Sequence, residues 1–341
     1  MGRTVVVGDI HGCFDELTEL LASLDLRPSD LLVAAGDVVD RGPAPGEVVR
    51  FLRERPNTVV LMGNHERKHV RGIFSYAQEI TRLQLGPRYG EVVDWMRTLP
   101  YHFENEHVRV VHAAMLSGIP LAAQKEEILC GSTSGEKELA ALFPQAHWQE
   151  HYTDAKPVAV GHHVVGPPPV VLDGRVFSLD TGACHGGALS ALSVPDFTLH
   201  SVAAHADYWA AAKREWQLPV LKSKPWLDYP WSELAAAVAR FSRDPASEAW
   251  LRAVERWAAE LRALPLVPAA YRLAAELDAG RWAGHPAARF LFQTRDGRLT
   301  EETMGRQCPA PRRTIEVAEM LGVPYPAFGT VMPSPSAGRD I

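Results

Sequence analysis

Gly36-Asp37-Val38-Val39-Asp40-Arg41-Gly42 follows the apolar run Leu31 to Ala35 and sets two aspartates and an arginine between glycines. An apolar, β-branched run that stops at glycine reads as a strand ending in a sharp turn. The same grammar recurs on either side. Thr4 to Val7 leads into Gly8-Asp9-Ile10-His11-Gly12, and Thr58 to Met62 leads into Gly63-Asn64-His65-Glu66. Asp9 lies 28 positions before Asp37, and Asn64 lies 27 after it. Each interval is the length of one strand, one helix and a second strand, so two consecutive βαβ units are predicted.

The intervals carry the expected helices. Phe14, Leu17, Leu20, Leu21 and Leu24 share one face of the first, and Val48, Val49 and Leu52 face inward on the second, which begins near Pro43. In an open, mostly parallel sheet the loops at the carboxyl ends of strands line one edge, so three motifs distant in sequence meet there. Those loops supply carboxylate, imidazole and amide donors and no thiolate. Such donors suit Mn, Fe, Zn or Mg rather than copper or an iron–sulfur cluster, and Asp37 is placed to bridge two ions. Cys13 and Cys184 flank motifs but form no CxxC pair.

The three blocks resemble the PPP-type metallophosphatases, the calcineurin-like family of serine/threonine protein phosphatases and their bacterial relatives, with the pattern GDxHG, GDxVDRG and GNHE. The likeness covers residues 3 to 202. It implies an α/β fold, a central β-sandwich flanked by helices, and two later histidines on the same sheet edge. Val108-Arg109-Val110-Val111-His112 and Val158-Ala159-Val160-Gly161-His162 end suitably. By the family pattern Asp9, His11 and Asp37 hold the first metal, while Asp37, Asn64, His112 and His162 hold the second; manganese is expected. Two departures stand out: Ala113 and Ala114 follow His112 where the family has glycine nearby, and His163 sits beside His162. The run from Phe177 to Leu189 resembles the bacterial branch and brings Asp180 near the site. That branch includes small protein phosphatases, phage phosphatases, symmetric dinucleoside tetraphosphatases and RNA-repair phosphatase modules.

The resemblance also implies roles. Water held between two divalent ions about 3.5–4 Å apart is acidified and attacks phosphorus without a covalent phosphoenzyme. His65 is the resembling general acid, Asp40 its hydrogen-bond partner, and Arg41 offers a planar fork for phosphate oxygens. A second phosphate-binding arginine is not assigned; Arg67 and Arg71 are candidates by nearness alone. Glu66 reads as structural, and His163, His185 and His200 as without catalytic part.

The chain has 341 residues, 46% hydrophobic and 22% charged, enough for one large core plus an appendage and unlike a disordered protein. No run reaches the ~18 apolar residues of a membrane span, and no charged, apolar leader precedes Thr4, so a cytoplasmic protein without a membrane partner is expected. Cys13, Cys130, Cys184 and Cys308 are too scattered for a disulfide framework. Residues 1–204 hold 17 basic against 25 acidic side chains, and residues 205–341 hold 18 against 16. The acidic half matches a cation centre, and the weakly positive half is no nucleic-acid footprint.

Two insertions, Arg67 to Pro100 and Ser117 to Lys156, interrupt the strand pattern and are expected to overhang the site. Tyr76, Tyr89, Trp95, Trp148 and Tyr152 offer substrate contacts there, with helix packing favoured for Trp95. The loop Cys130-Gly131-Ser132-Thr133-Ser134-Gly135 lacks the lysine and helix-opening pattern of a P-loop and is discounted as a phosphate cradle. Residues 1–204 are read as the metallophosphatase domain and 205–341 as a helical module of no recognised family. A polar, proline-marked link near Gln217 to Pro230 precedes that module's helices. Asp244-Pro245 is its cap signal, Gly280 and Gly322 its stops, and Pro324 to Ile341 a tail without fixed structure except where it packs on the body. Trp250, Val254, Trp257 and Leu261 recur at helical spacing and read as core. The module's role stays open among positioning substrate, dimerising and covering the site.

Three functions fit, with substrate undecided among phosphoprotein, nucleotide and RNA end. The first is a metal-dependent phosphomonoesterase, favoured by Asp40 before Arg41 and Glu66 after His65. The second is a symmetric bis(5'-nucleosyl)-tetraphosphatase. The third, an inactive binding homologue, is disfavoured by the intact Asp9, His11, Asp37, Asn64 and His65. Oligomeric state is not legible.

Overall fold

Valine and leucine fill strands β1 (Thr4–Val7), β2 (Leu31–Ala34) and β3 (Thr58–Val60), which lie side by side and parallel in a computed structural model describing residues 2–144, 147–240 and 245–328. Helices α1 (Phe14–Ser23) and α2 (Pro45–Glu54) make the two crossovers. The first insertion folds as α3 (Asn64–Arg71), α4 (Tyr76–Leu85) and α5 (Tyr89–Met96). Strands β4 (His102–Glu104) and β5 (Arg109–Val111) follow, then α6 (Glu126–Leu129) and α7 (Thr133–Leu142) from the second insertion. The unit closes with β6 (Val158–Val160), β7 (Val170–Leu172), β8 (Val176–Ser178), β9 (Ala188–Val194), β10 (Thr198–Ala203) and α8 (Tyr208–Glu215).

Two five-stranded sheets result, ordered β10-β9-β1-β2-β3 and β4-β5-β6-β8-β7. The first is mixed rather than mostly parallel, because β9 runs antiparallel to both β1 and β10. Residues 195–197 are too short for a crossover, so β9 and β10 can only pair antiparallel. The histidines at the ends of β5 and β6 therefore belong to a second sheet, not to the edge that carries the first three motifs. The period-2 alternation explains how the sheets meet: Val6, Val33 and Leu192 on one and Val110, Ala159 and Phe177 on the other share one buried cluster. The opposite residues of β1 and β2, among them Val5, Val7, Leu32 and Ala34, pack on Leu17 and Leu20 of α1 and Val48 and Leu52 of α2. Val111, Val158 and Val160 face α6, α7, Trp148 and Tyr152 on the outer side of the second sheet. This is the sandwich flanked by helices that the resemblance implies.

Residues Gln217–Ile341 form a second compact unit. The expected link is partly structured: Gln217–Lys222 is helical (α9), and Trp226 is buried in the unit's core. Helices α10 (Trp231–Arg240), α11 (Pro245–Arg262), α12 (Leu266–Glu276), α13 (Ala288–Arg295), α14 (Glu301–Gln307) and α15 (Pro311–Met320) complete it. Trp250, Val254, Trp257 and Leu261 are buried along one stripe of α11 with Trp226 and Leu234. Gly322 follows α15 at φ +66°, whereas α12 stops at Glu276, ahead of Gly280, which lies in a short 3-10 turn. Asp244 and residues 329–341 of the tail lie outside the described residues.

The first unit extends to Trp216, beyond the expected boundary at 204. Glu16 of α1, fully buried, explains this: it accepts hydrogen bonds from the His205 backbone at 2.9 Å and the Tyr208 hydroxyl at 2.8 Å. Buried carboxylates need such donors. Tyr208→Phe removes one of them, and chemical denaturation should show a loss of about 1–3 kcal/mol; an unchanged midpoint and slope would remove this anchor from the account.

Candidate metal centre and active site

The loops after β1, β2 and β3 and those after β5 and β6 converge, and their backbones are braced to one another. His11 N–H donates to the Asp37 carbonyl, Gly12 N–H to the Val38 carbonyl and Gly161 N–H to the His112 carbonyl. Glu66, read as structural, is the main brace. One carboxylate oxygen accepts from Asp37 N–H at 2.9 Å and Gly63 N–H at 3.1 Å, the other from Val38 N–H at 2.9 Å and Val39 N–H at 3.3 Å. The turns are tight enough that His11, Asp37, Asp40, Arg41 and His162 all adopt φ between 47° and 71°, a region L-residues rarely hold without a surrounding structure that enforces it. Gly63 and Gly161 are obligatory here: a Cβ at the first would strike Asp37, and at the second Asp9.

Donor atoms of Asp9, His11, Asp37, Asn64, His112 and His162 lie together. His11 Nε2 is 3.7 Å from one Asp37 carboxylate oxygen, and His112 Nε2 is 3.4 Å from the other. The Asn64 amide oxygen is 3.1 Å from both His112 Nε2 and His162 Nδ1. Asp9 is held by the His162 backbone N–H at 3.1 Å, which ties the two sheets' loops together. The ring nitrogens facing away are engaged, His11 Nδ1 with the Val39 carbonyl at 2.8 Å and His112 Nδ1 with the Ala35 carbonyl at 3.0 Å. Such bonds fix ring orientation for a metal.

This donor set fits two divalent cations. Burial, then Asp180 and Asp37, raise the Asp9 carboxyl well above its usual range; burial also raises Asp180. Burial works against a charged His112, but Asp37 and Asp9 outweigh it and push the imidazole up to about 10. His11 is driven down to about 3 by burial and by its neighbours His65 and Arg41. Arg41 donates to His11 Nε2 at 3.0 Å, and the buried carboxylates of Asp9, Asp37 and Asp180 repel one another. Divalent ions resolve that repulsion.

His65 and Asp40 form the expected pair, with Nδ1–H donating to Asp40 at 2.6 Å while Nε2 faces Asp37 at 3.8 Å. Sequence reasoning missed what surrounds them. His69 Nε2–H donates to the other Asp40 oxygen at 2.9 Å, the Tyr89 hydroxyl pairs with His69 Nδ1 at 3.1 Å, and Gln78 donates its amide to Asp40. Burial alone would raise the Asp40 carboxyl, yet the bonds from His65 and His69 hold it far below the carboxylate range. His69 shows only as a second histidine one helical turn after His65.

The remaining candidates separate. Asp180 is buried beside Asp9, its carboxylate accepting from Gly182 N–H at 3.0 Å. Arg67 is committed to Glu127 at 2.5 Å, whereas Arg71 is exposed. His163 and His185 are exposed and His200 lies on β10. Trp148 and Tyr152 are buried in the outer core, and the Tyr89 ring packs against His69 and Phe74. Glu136 of α7, also missed, lies 3.1 Å from His162 Nε2 and leaves Nδ1 turned toward Asn64. The discounted loop does open a helix: Ser132 Oγ caps α7 by accepting from Gly135 N–H at 3.2 Å.

The family model for calcineurin-like phosphoesterases matches residues 2–165. The first unit is a calcineurin-like phosphoesterase domain. The chain is accordingly a hydrolase of phosphoester bonds, of a family that uses a dinuclear divalent metal site. A symmetrical bis(5'-nucleosyl)-tetraphosphatase of Cronobacter sakazakii is 27% identical across 58% of this chain and 94% of its own length. The asymmetrical bis(5'-nucleosyl)-tetraphosphatase PrpE of Bacillus velezensis is 28% identical across 62% and 96%. A solved structure described as a putative diadenosine tetraphosphatase superposes with a TM-score of 0.50 at 26% identity, covering 60% of this chain and 94% of that one. Among the described residues of the phosphoesterase and the helical unit, no helix is long and apolar enough to cross a membrane.

The geometry separates the cluster around Asp37 from the His65–Asp40 pair. Asp37→Ala should abolish both metal content, measured by elemental mass spectrometry, and turnover. His65→Ala should keep its metal and lose about 10²-fold or more in turnover; equal metal loss in the two variants would end that division.

Proposed function

We propose that this chain hydrolyses dinucleoside tetraphosphates at the centre built around Asp37. The likeness to tetraphosphatases carries the reading, since it runs along 94–96% of the relatives' own length. The competing expectation, a phosphomonoesterase, rested on Asp40 and Glu66. Both are fully buried, Asp40 beneath His65 and Glu66 under the β2 loop, so neither reads the substrate. They serve any phosphate chemistry at this centre.

Asp9, His11 and Asp37 would hold one divalent ion, and Asp37, Asn64, His112 and His162 the other. Bound there, the ions would supply an acidified water and neutralise phosphate charge. Manganese suits these oxygen and imidazole donors, and the four cysteines, free and buried, agree with a reducing cytoplasmic setting. Arg41, its guanidinium 3.0 Å from His11 Nε2, would grip two oxygens of the reacting phosphate. His65, held by Asp40 at Nδ1, would deliver a proton from Nε2 to the departing oxygen as the bond from phosphorus to that oxygen breaks. A departing nucleotide phosphate is a stable anion and needs this proton less than an alkoxide does.

Manganese-reconstituted protein should therefore release nucleotides from diadenosine tetraphosphate faster than phosphate from a phosphopeptide or a 3′-phosphorylated oligonucleotide, with Asp37→Ala as blank. Two ADP mark symmetrical cleavage, ATP plus AMP the asymmetrical kind. A preference for either monoester would replace this reading with the phosphomonoesterase.

A further inference from the structure

A cleft of about 420 Å³ opens beside the candidate metal centre, within the size range of small-molecule sites. Asn64, whose amide oxygen faces His112 and His162, forms part of its wall. From there the cleft lies between α3, which contributes Arg67, Lys68 and Arg71, and the Gly131–Ser134 loop with Lys137 of α7. No carboxylate lines it. That is notable in a domain whose first 204 residues carry 25 acidic side chains against 17 basic ones.

The cations are not equivalent. Arg67 is spent on Glu127, while Lys68, Arg71 and Lys137 have no carboxylate within ion-pair distance among the described residues. A concave surface of one sign concentrates anions. The Thr133 hydroxyl and the start of α7 add donors suited to phosphate, while the Ser132 hydroxyl is spent on the Glu127 carbonyl, the Gly135 N–H and Ser134. Ile73, 55% exposed, gives the same cleft an apolar side that a flat base can cover.

We propose that this cleft binds a nucleoside diphosphate, the part of the substrate that extends beyond the scissile phosphate, with Lys68, Arg71 and Lys137 on its phosphates and Ile73 against its base. The proposal rests on the tetraphosphatase reading for its physiological ligand, and on the cleft itself for its chemistry. It assigns the insertions a purpose: α3 and α7 together set substrate length.

The test is calorimetric binding of ADP and of orthophosphate to manganese-reconstituted protein and to Lys68→Glu, Arg71→Glu and Lys137→Glu, all surface changes that leave the core intact. Each reversal should weaken ADP by about tenfold, one charged hydrogen bond's worth, and orthophosphate, which ends at the metal centre, by clearly less. Equal weakening of both ligands, unchanged ADP binding, or no ADP binding by the parent protein would overturn the subsite. Failure of the tetraphosphatase reading is seen separately, as parent protein that binds ADP through these residues yet does not cleave diadenosine tetraphosphate.

Discussion

One carboxylate organises this centre without touching its chemistry. Glu66 takes four backbone N–H groups, three from the loop after β2 and one from the turn before α3. A buried loop must satisfy every one of its N–H groups, and this one turns too sharply to do so with its own carbonyls. Because Glu66 sits in the first turn of α3, the same bonds set the distance between Asp37 and the pair Asn64 and His65. His65 N–H then closes the circuit on the Asp37 carboxylate at 3.0 Å. The positive φ values at Asp37, Asp40 and Arg41 persist because the loop is held from both ends.

Charge follows the same logic. Asp9, Asp37 and Asp180 are buried close together, and burial of like charges is unfavourable unless something positive is bound among them. Asp40 stands apart, with His65, His69 and Gln78 all donating to it. Both of its oxygens are thereby taken by imidazole and amide donors rather than left for a metal. Two aspartates three positions apart in one loop thus meet quite different surroundings.

What was legible in the sequence was what depends on local turns. Gly8-Asp9, Gly36-Asp37 and Gly63-Asn64 announce strand ends whatever the tertiary structure, and the 28- and 27-residue intervals fix the crossovers. The separation into two sheets was not legible from spacing, because β5 and β6 have the same valine pattern as β1 and β2; only the resemblance implied a sandwich. His69, Gln78 and Glu136 escaped notice for a related reason. Each acts through a partner 26 or more residues away, and a lone polar residue on a helix carries no mark of such a partner. The twelve residues after 204 look like the start of the helical module, and only the buried Glu16 reveals that they belong to the sandwich.

The insertions complete the argument about specificity. The centre's own side chains face one another and the loop backbones that carry them. Discrimination between substrates must then come from groups outside that ring, and the described surface places three uncommitted cations at the wall that Asn64 shares with it. Negative potential at the ligands and positive potential in the adjoining cleft are not in conflict. The first would hold cations, and on the proposed reading the second would meet the anionic remainder of a substrate whose reacting phosphate those cations neutralise. If the proposed subsite holds, a chain with this centre but without the α3 and α7 cations would keep the chemistry and bind a long, multiply charged substrate less tightly.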